Sequence, residues 1–106
     1  MSDAIVVLCT CPDNTCARAL AQTLLNEKLA ACVNLIPQVT SLYCWQGKME
    51  ESQEVLLVIK SRRTLFGVLQ QRIQTLHPYE VPEILAMPVL NGSPAYLQWL
   101  QEQTTP

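Results

Sequence analysis

Val55-Leu56-Leu57-Val58-Ile59 is an unbroken apolar run, and its lack of alternation decides the fold. A strand with one wet face alternates apolar with polar residues, so this run calls for cover on both faces. It ends a long strand predicted over residues 48–60. Gln46-Gly47-Lys48 is the turn before it, joining it in a hairpin to an extended, aromatic stretch at 39–45. Working back, residues 31–36 form a strand that Pro37 stops, since proline donates no ladder hydrogen bond. Residues 5–9, β-branched and also without alternation, form a central first strand.

Between those strands, Pro12-Asp13-Asn14 offers turn and N-cap chemistry, and Ala17, Leu20, Ala21, Leu24 and Leu25 recur at helical spacing up to about Lys28. After the long strand, Ser61 or Thr64 caps a helix with Leu65, Val68, Leu69, Ile73 and Leu76 on one face. His77-Pro78-Tyr79 breaks it. Residues 84–89 make the last core strand, Asn91-Gly92 turns the chain, and Ser93-Pro94 starts a final helix carrying Tyr96, Leu97, Trp99 and Leu100. The expected class is therefore α+β: a single domain over residues 1–106, in the ferredoxin-like order β-α-β-β-α-β with an added C-terminal helix. That arrangement puts both crossover helices on one sheet face and leaves the other open.

Composition reaches the same open face independently. The chain has 106 residues, 49% of them hydrophobic and 15% charged, against about 25% charged in ordinary soluble domains. So small a body has too little interior for so much apolar surface, and self-association follows. A membrane span needs about 20 consecutive apolar residues, and the longest run is Ala4 to Cys9. No membrane partner is expected. A net charge of −2 gives no basic footprint for nucleic acid. Met1-Ser2-Asp3-Ala4 lacks a basic start and cleavage site, and five cysteines are an odd number; the expectation is a cytoplasmic chain with free thiols.

Cys9 and Cys11 share one face of the first strand, and Cys16 falls in the first turn of the next helix, where a helix N-terminus lowers a thiol's pKa. Thiolates are soft ligands suited to Cu(I) or Zn, yet the spacing matches no zinc or iron–sulfur framework, and both strand cysteines also read as small buried hydrophobes. His77 is the only histidine. It reads either as a partly exposed cation at a helix C-terminus or as a ligand needing partners from other segments, of which Glu80 and Glu83 are nearest. Tyr43, Trp45, Lys60, His77, Tyr79 and Glu83 form a candidate pocket lining near a sheet end, with Trp45 equally an interface anchor. Three glycines allow no phosphate-binding loop, and one histidine with Asp3 and Asp13 makes no nucleophile–base constellation. The chain is expected not to be an enzyme.

Several segments together resemble the CutA family, the divalent-cation tolerance proteins. They are Val6-Val7-Leu8-Cys9-Thr10, Leu29-Ala30-Ala31-Cys32-Val33-Asn34, Ser41-Leu42-Tyr43-Cys44-Trp45-Gln46-Gly47-Lys48, Glu54, Lys60-Ser61, His77-Pro78-Tyr79-Glu80-Val81-Pro82-Glu83 and Tyr96-Leu97-Gln98-Trp99-Leu100. The resemblance implies a cytoplasmic ferredoxin-like subunit in a PII-like homotrimer whose sheets face one another, linked to tolerance of copper and other divalent metals. The family's copper site uses a cysteine at the end of the first strand and two adjacent histidines. These positions fall on Cys9, Leu76 and His77, so Leu76 replaces one imidazole. Cys11, Cys16 or Glu83 would then complete a copper site on Cys9 and His77. The other reading is a signalling trimer with a small-molecule pocket of Tyr43, Trp45, Lys60, His77, Tyr79 and Glu83 between subunits.

Overall fold

In a computed structural model, which describes residues 2–106, the chain forms one four-stranded antiparallel sheet and three α-helices. The elements are β1 (Ala4–Cys11), α1 (Asn14–Asn26), β2 (Cys32–Trp45), β3 (Lys48–Arg62), α2 (Phe66–Leu76), β4 (Leu85–Pro88) and α3 (Pro94–Gln103). Strand order across the sheet is β2-β3-β1-β4. Both non-alternating runs lie in the two inner strands, β1 and β3, and residues 5–9 are central as expected.

Register separates the two faces. Val7 lies opposite Ile59, and Cys9 opposite Leu57; all four are fully buried under α1 and α2, against Leu20, Leu24, Leu69 and Ile73. Each such leucine or isoleucine contributes about 1.5–3 kcal/mol by leaving water. The other face carries Val6, Leu8, Leu56 and Val58, all half-buried, with Leu85 and Met87 of β4 exposed beside them. α3 covers only one end of this second face, through Leu100 on Ala4 and Ala31. An apolar surface therefore runs across the middle of the sheet, where the sequence required cover.

Local chemistry sets the boundaries. Asp13 Oδ1 accepts from the Cys16 N–H at 2.8 Å and caps α1. Lys28, in the left-handed region at φ 58°, closes the same helix, with the Leu29 N–H donating to the Leu24 carbonyl at 2.9 Å. Gln46 and Gly47 have φ of 52° and 80°, the double positive φ that a tight hairpin turn requires and that glycine adopts freely.

Three expectations are corrected. Pro37 does not end β2; the strand runs on to Trp45 across a register shift between Ile36 and Val39, with Gln38 at φ 61°. β2 is an edge strand, where a missing donor at a bulge is harmless. Neither Ser61 nor Thr64 caps α2. Ser61 belongs to β3 and is fully buried, its hydroxyl donating to the Leu29 carbonyl at 2.6 Å, while Thr64 lies in a short 3₁₀ turn that leads into the helix. The last strand is shorter than 84–89, pairing with β1 over Leu85–Pro88 only.

β1 pairs with β3 from Val55 to Arg62 alone. The remainder of β3, with its partner residues in β2 from Val39 to Trp45, projects as a two-stranded ribbon past the end of β1. The chain is accordingly elongated, 44 × 26 × 23 Å.

Candidate functional site

The end of β1 and the segment after α2 meet beneath the root of that ribbon. Cys9 and Cys11 point to the helix side of the sheet and are fully buried. His77 ends α2 with an extended backbone, φ −77° and ψ 139°, as a residue preceding proline prefers. Sequence placed it partly exposed; instead it is 7% exposed, folded back against β1. Ligand atoms of Cys9, Cys11 and His77 all lie within 4.8 Å of one another, the only such group of three among the described residues.

Every polar atom in this group is engaged. The His77 Nε2–H donates to the Thr10 carbonyl at 2.7 Å, and the Tyr79 N–H donates to Nδ1 at 3.0 Å. A carbonyl only accepts and an amide only donates, so the ring is the neutral tautomer protonated at Nε2. Cys11 Sγ lies 3.8 Å from Nε2. Hydrogen bonding with Cys9, then burial, hold the Cys11 thiol protonated well above the usual thiol range. Cys16 is not lowered by its helix N-terminus as expected. Burial, followed by the neighbouring Cys11, pushes it up to about 11.

The group fits a soft metal ion. With metal–sulfur near 2.3 Å and metal–nitrogen near 2.0 Å, ligands about 120° apart lie roughly 3.8 Å from each other, which is the Cys11–His77 separation. Two thiolates with an imidazole suit copper(I) or zinc over harder ions. Binding through Nε2 would release the thiol protons, and moving the ring proton to Nδ1 would give up both ring hydrogen bonds, to the Thr10 carbonyl and from the Tyr79 N–H. Of the third ligands that sequence offered, Cys11 is in this group, and Cys16 and Glu83 are outside it. Leu76 is exposed on the last turn of α2.

Across the sheet from these thiols lies a cleft of about 690 Å³, into which Thr10, Tyr43, Trp45, Glu54, Tyr79, Glu80 and Glu83 face. Residues 77–79 pass from one side of the sheet to the other. His77 sits with the thiols, and the Tyr79 hydroxyl donates to Glu54 Oε2 at 2.7 Å. Their rings stay in contact, centroids 4.7 Å apart and tilted by 55°. Burial, then the Glu54 carboxylate, hold the Tyr79 proton well above the usual phenol range. Tyr43 and Ser52 hydroxyls are 3.4 Å apart on the ribbon.

Lys60 is not in this cleft. It sits toward the other end of β3, opposite Val6 and Cys32, with its ammonium donating to Asn34 Oδ1 and 3.8 Å from Cys32 Sγ. Strand register separates it from Tyr43 and Trp45. Cys32 is half-buried there, and Cys44 is exposed. Sequence does not assign two participants to the site: the Thr10 carbonyl, which carries no side-chain signal, and Glu54, quoted only for the family resemblance and lying immediately before the apolar run.

The family model described as CutA1 divalent ion tolerance protein matches residues 5–103. The chain belongs to the CutA1 family. The divalent-cation tolerance protein CutA of Thermus thermophilus is 50% identical over 99 residues, which make up 93% of this chain and 96% of that protein. Protein CutA of Mus musculus is 47% identical over 95 residues, 90% of this chain but 54% of the mouse protein, so the chain spans about half of that relative. Among solved structures, the divalent cation tolerance protein Cut A1 of Thermus thermophilus superposes with a TM-score of 0.94 at 48% identity, covering 96% of this chain and 99% of that one. The Archaeoglobus fulgidus CutA, described as periplasmic, gives a TM-score of 0.94 at 32% identity, covering 96% of this chain and 99% of that one. Membership of the CutA1 family makes this a divalent-cation tolerance protein by family, with a mixed α+β fold.

Proposed function

We propose that this CutA1 chain binds copper, or another soft divalent-series metal ion, through Cys9, Cys11 and His77, and acts as a cytoplasmic homotrimer rather than an enzyme. The observation that carries this reading is the convergence of those three side chains within 4.8 Å. Burial suits storage or sensing more than turnover. Cys11, the thiol nearest an imidazole, is fully buried and protonated, where a cysteine nucleophile needs a lowered pKa and access. Unlinked thiols at all five cysteines accord with a reducing compartment.

The trimer reading rests on two surfaces. The strand order β2-β3-β1-β4 with two crossover helices on one face supports a ferredoxin-like subunit, and the opposite face is apolar and largely uncovered. The projecting β2–β3 ribbon is a two-stranded element, marginal in water unless something packs on it. A PII-like trimer with facing sheets would cover both.

The test is calorimetric titration with copper(I) and zinc under reducing conditions, on wild type, Cys9→Ala, Cys11→Ala and His77→Ala, with sedimentation to establish mass. One-to-one binding per chain, weakened at least tenfold in each variant, is expected. Unchanged binding in all three would remove these residues as ligands.

A second reading is favoured by a separate observation, the 690 Å³ cleft, whose size is that of a small-molecule site. In that reading the protein is a PII-like signalling trimer whose ligand sits against Tyr43, Trp45, Tyr79 and Glu83, and metal response is indirect.

A further inference from the structure

The cleft has a definite chemical character. The walls that one subunit contributes carry Glu54, Glu80 and Glu83, with no lysine, arginine or histidine among them, and the aromatic residues Tyr43, Trp45 and Tyr79. Three carboxylates in one concave site repel an anion. Aromatic faces add attraction for a cation, more so as the site loses water. Glu54 is the anchor: it is 7% exposed, one oxygen is held by the Tyr79 hydroxyl, and no other hydrogen bond reaches its carboxylate from the described residues. No buried side-chain oxygen among the described residues lacks a hydrogen-bond partner, so the second Glu54 oxygen opens to the cleft and offers its acceptor capacity there.

A bare metal ion is not that partner. Hard cations need several oxygens converging on one point, and these three acids form no such group among the described residues. Carboxylates spread around a 690 Å³ space, interleaved with rings, match a charge that is itself spread over a larger body.

We infer that this cleft takes a compact organic cation, an alkylammonium or quaternary ammonium group. This rests on the cleft-binding reading and names its ligand class. The cation seats against Trp45 and Tyr43 with Glu54 and Glu83 as its counter-charges. The Tyr79 hydroxyl donates to Glu54 Oε2 at 2.7 Å and so fixes that carboxylate at the cleft wall.

The experiment titrates the assembled protein with tetramethylammonium and butylammonium as probes, and with acetate, inorganic phosphate and AMP as the opposite charge class. Readouts are thermal midpoint and tryptophan fluorescence at two salt concentrations. Expected is saturable binding of the two ammonium probes, weaker at high salt, reduced at least fivefold in Trp45→Ala and in Glu83→Gln, and unchanged in Cys9→Ala. Trp45 and Glu83 are exposed, so neither substitution empties the core. Saturable binding of AMP or phosphate without the ammonium probes would overturn the cation assignment while leaving the cleft as a ligand site. Binding of neither class overturns both. Ammonium binding that survives both cleft substitutions places the site elsewhere and overturns the inference.

Discussion

The Tyr79 hydroxyl donates to Glu54 Oε2 at 2.7 Å, joining the segment after α2 to the root of the β2–β3 ribbon. Glu54 is the first residue of β3 past the end of β1, so this bond holds the ribbon where it leaves the sheet. Removing only the donor, by Tyr79→Phe, leaves a buried carboxylate without its partner. A loss of about 1–3 kcal/mol is expected, measured as a lower urea midpoint at unchanged m-value. A midpoint within error of wild type would show that water replaces the hydroxyl.

How far the sequence could be read follows from what each residue had to do. The inner strands were legible because Val55 to Ile59 and Ile5 to Leu8 violate alternation, and burial on both faces is a composition-level demand. β2 was broken at Pro37 because a proline normally ends a ladder; nothing local says that the strand is an edge, where a bulge tolerates it. The thiol pair was visible as a period of two, whereas the depth of His77 was not. Its burial comes from Thr10 and Tyr79 backbone groups, 67 and two residues away, and backbone partners leave no mark on residue type. Aromatic and charged character alone groups Lys60 with Trp45, whereas register puts them at different ends of the hairpin.

The acid limb of stability reports the contact between α1 and α2. Arg72 Nε and Nη2 donate to the Glu27 carboxylate at 2.9 and 2.7 Å, and this holds the Glu27 carboxyl below its ordinary 4.5. A lowered folded-state pKa means that the unfolded chain binds the proton first on acidification. The contribution is therefore full above pH 4.5 and lost as pH falls through the folded value. Both side chains lie at the surface, so the effect is small and screened by salt. Glu27→Gln is expected to flatten the fall of the urea midpoint below pH 4.5 at low ionic strength and to change nothing at neutral pH beyond the lost pair. An identical acid slope in the variant would count against the assignment.

The alkaline limb has the opposite sign. Cys16 rises from 9.0 to about 11 in the fold through burial and its Cys11 neighbour. Here the folded chain keeps a proton that the unfolded chain releases. The contribution is full below pH 9 and lost as pH rises toward 11. Cys16→Ser is expected to make stability less steep across that window. Urea melts at intervals through it would read the difference, under reducing conditions to exclude oxidation. A slope unaffected by the substitution would assign the alkaline loss to other groups.

Val58 tests the uncovered sheet face. It pairs with Leu8 on one side and Asn34 on the other, half-buried in the subunit alone and facing away from α1 and α2. A lysine there meets water in a monomer, so folding of the single subunit should persist, with an unchanged far-ultraviolet spectrum. In an assembly with facing sheets, the same ammonium is buried without a partner, at about 3–5 kcal/mol per subunit. That is enough to shift mass from assembly to monomer at micromolar concentration. Val58→Lys is therefore expected to sediment as a monomer or to aggregate where wild type sediments as a larger species, while Gln101→Lys, exposed on α3, leaves the mass unchanged. A wild type that sediments as a monomer, or a Val58→Lys protein that keeps the larger mass, would move the assembly surface off this face.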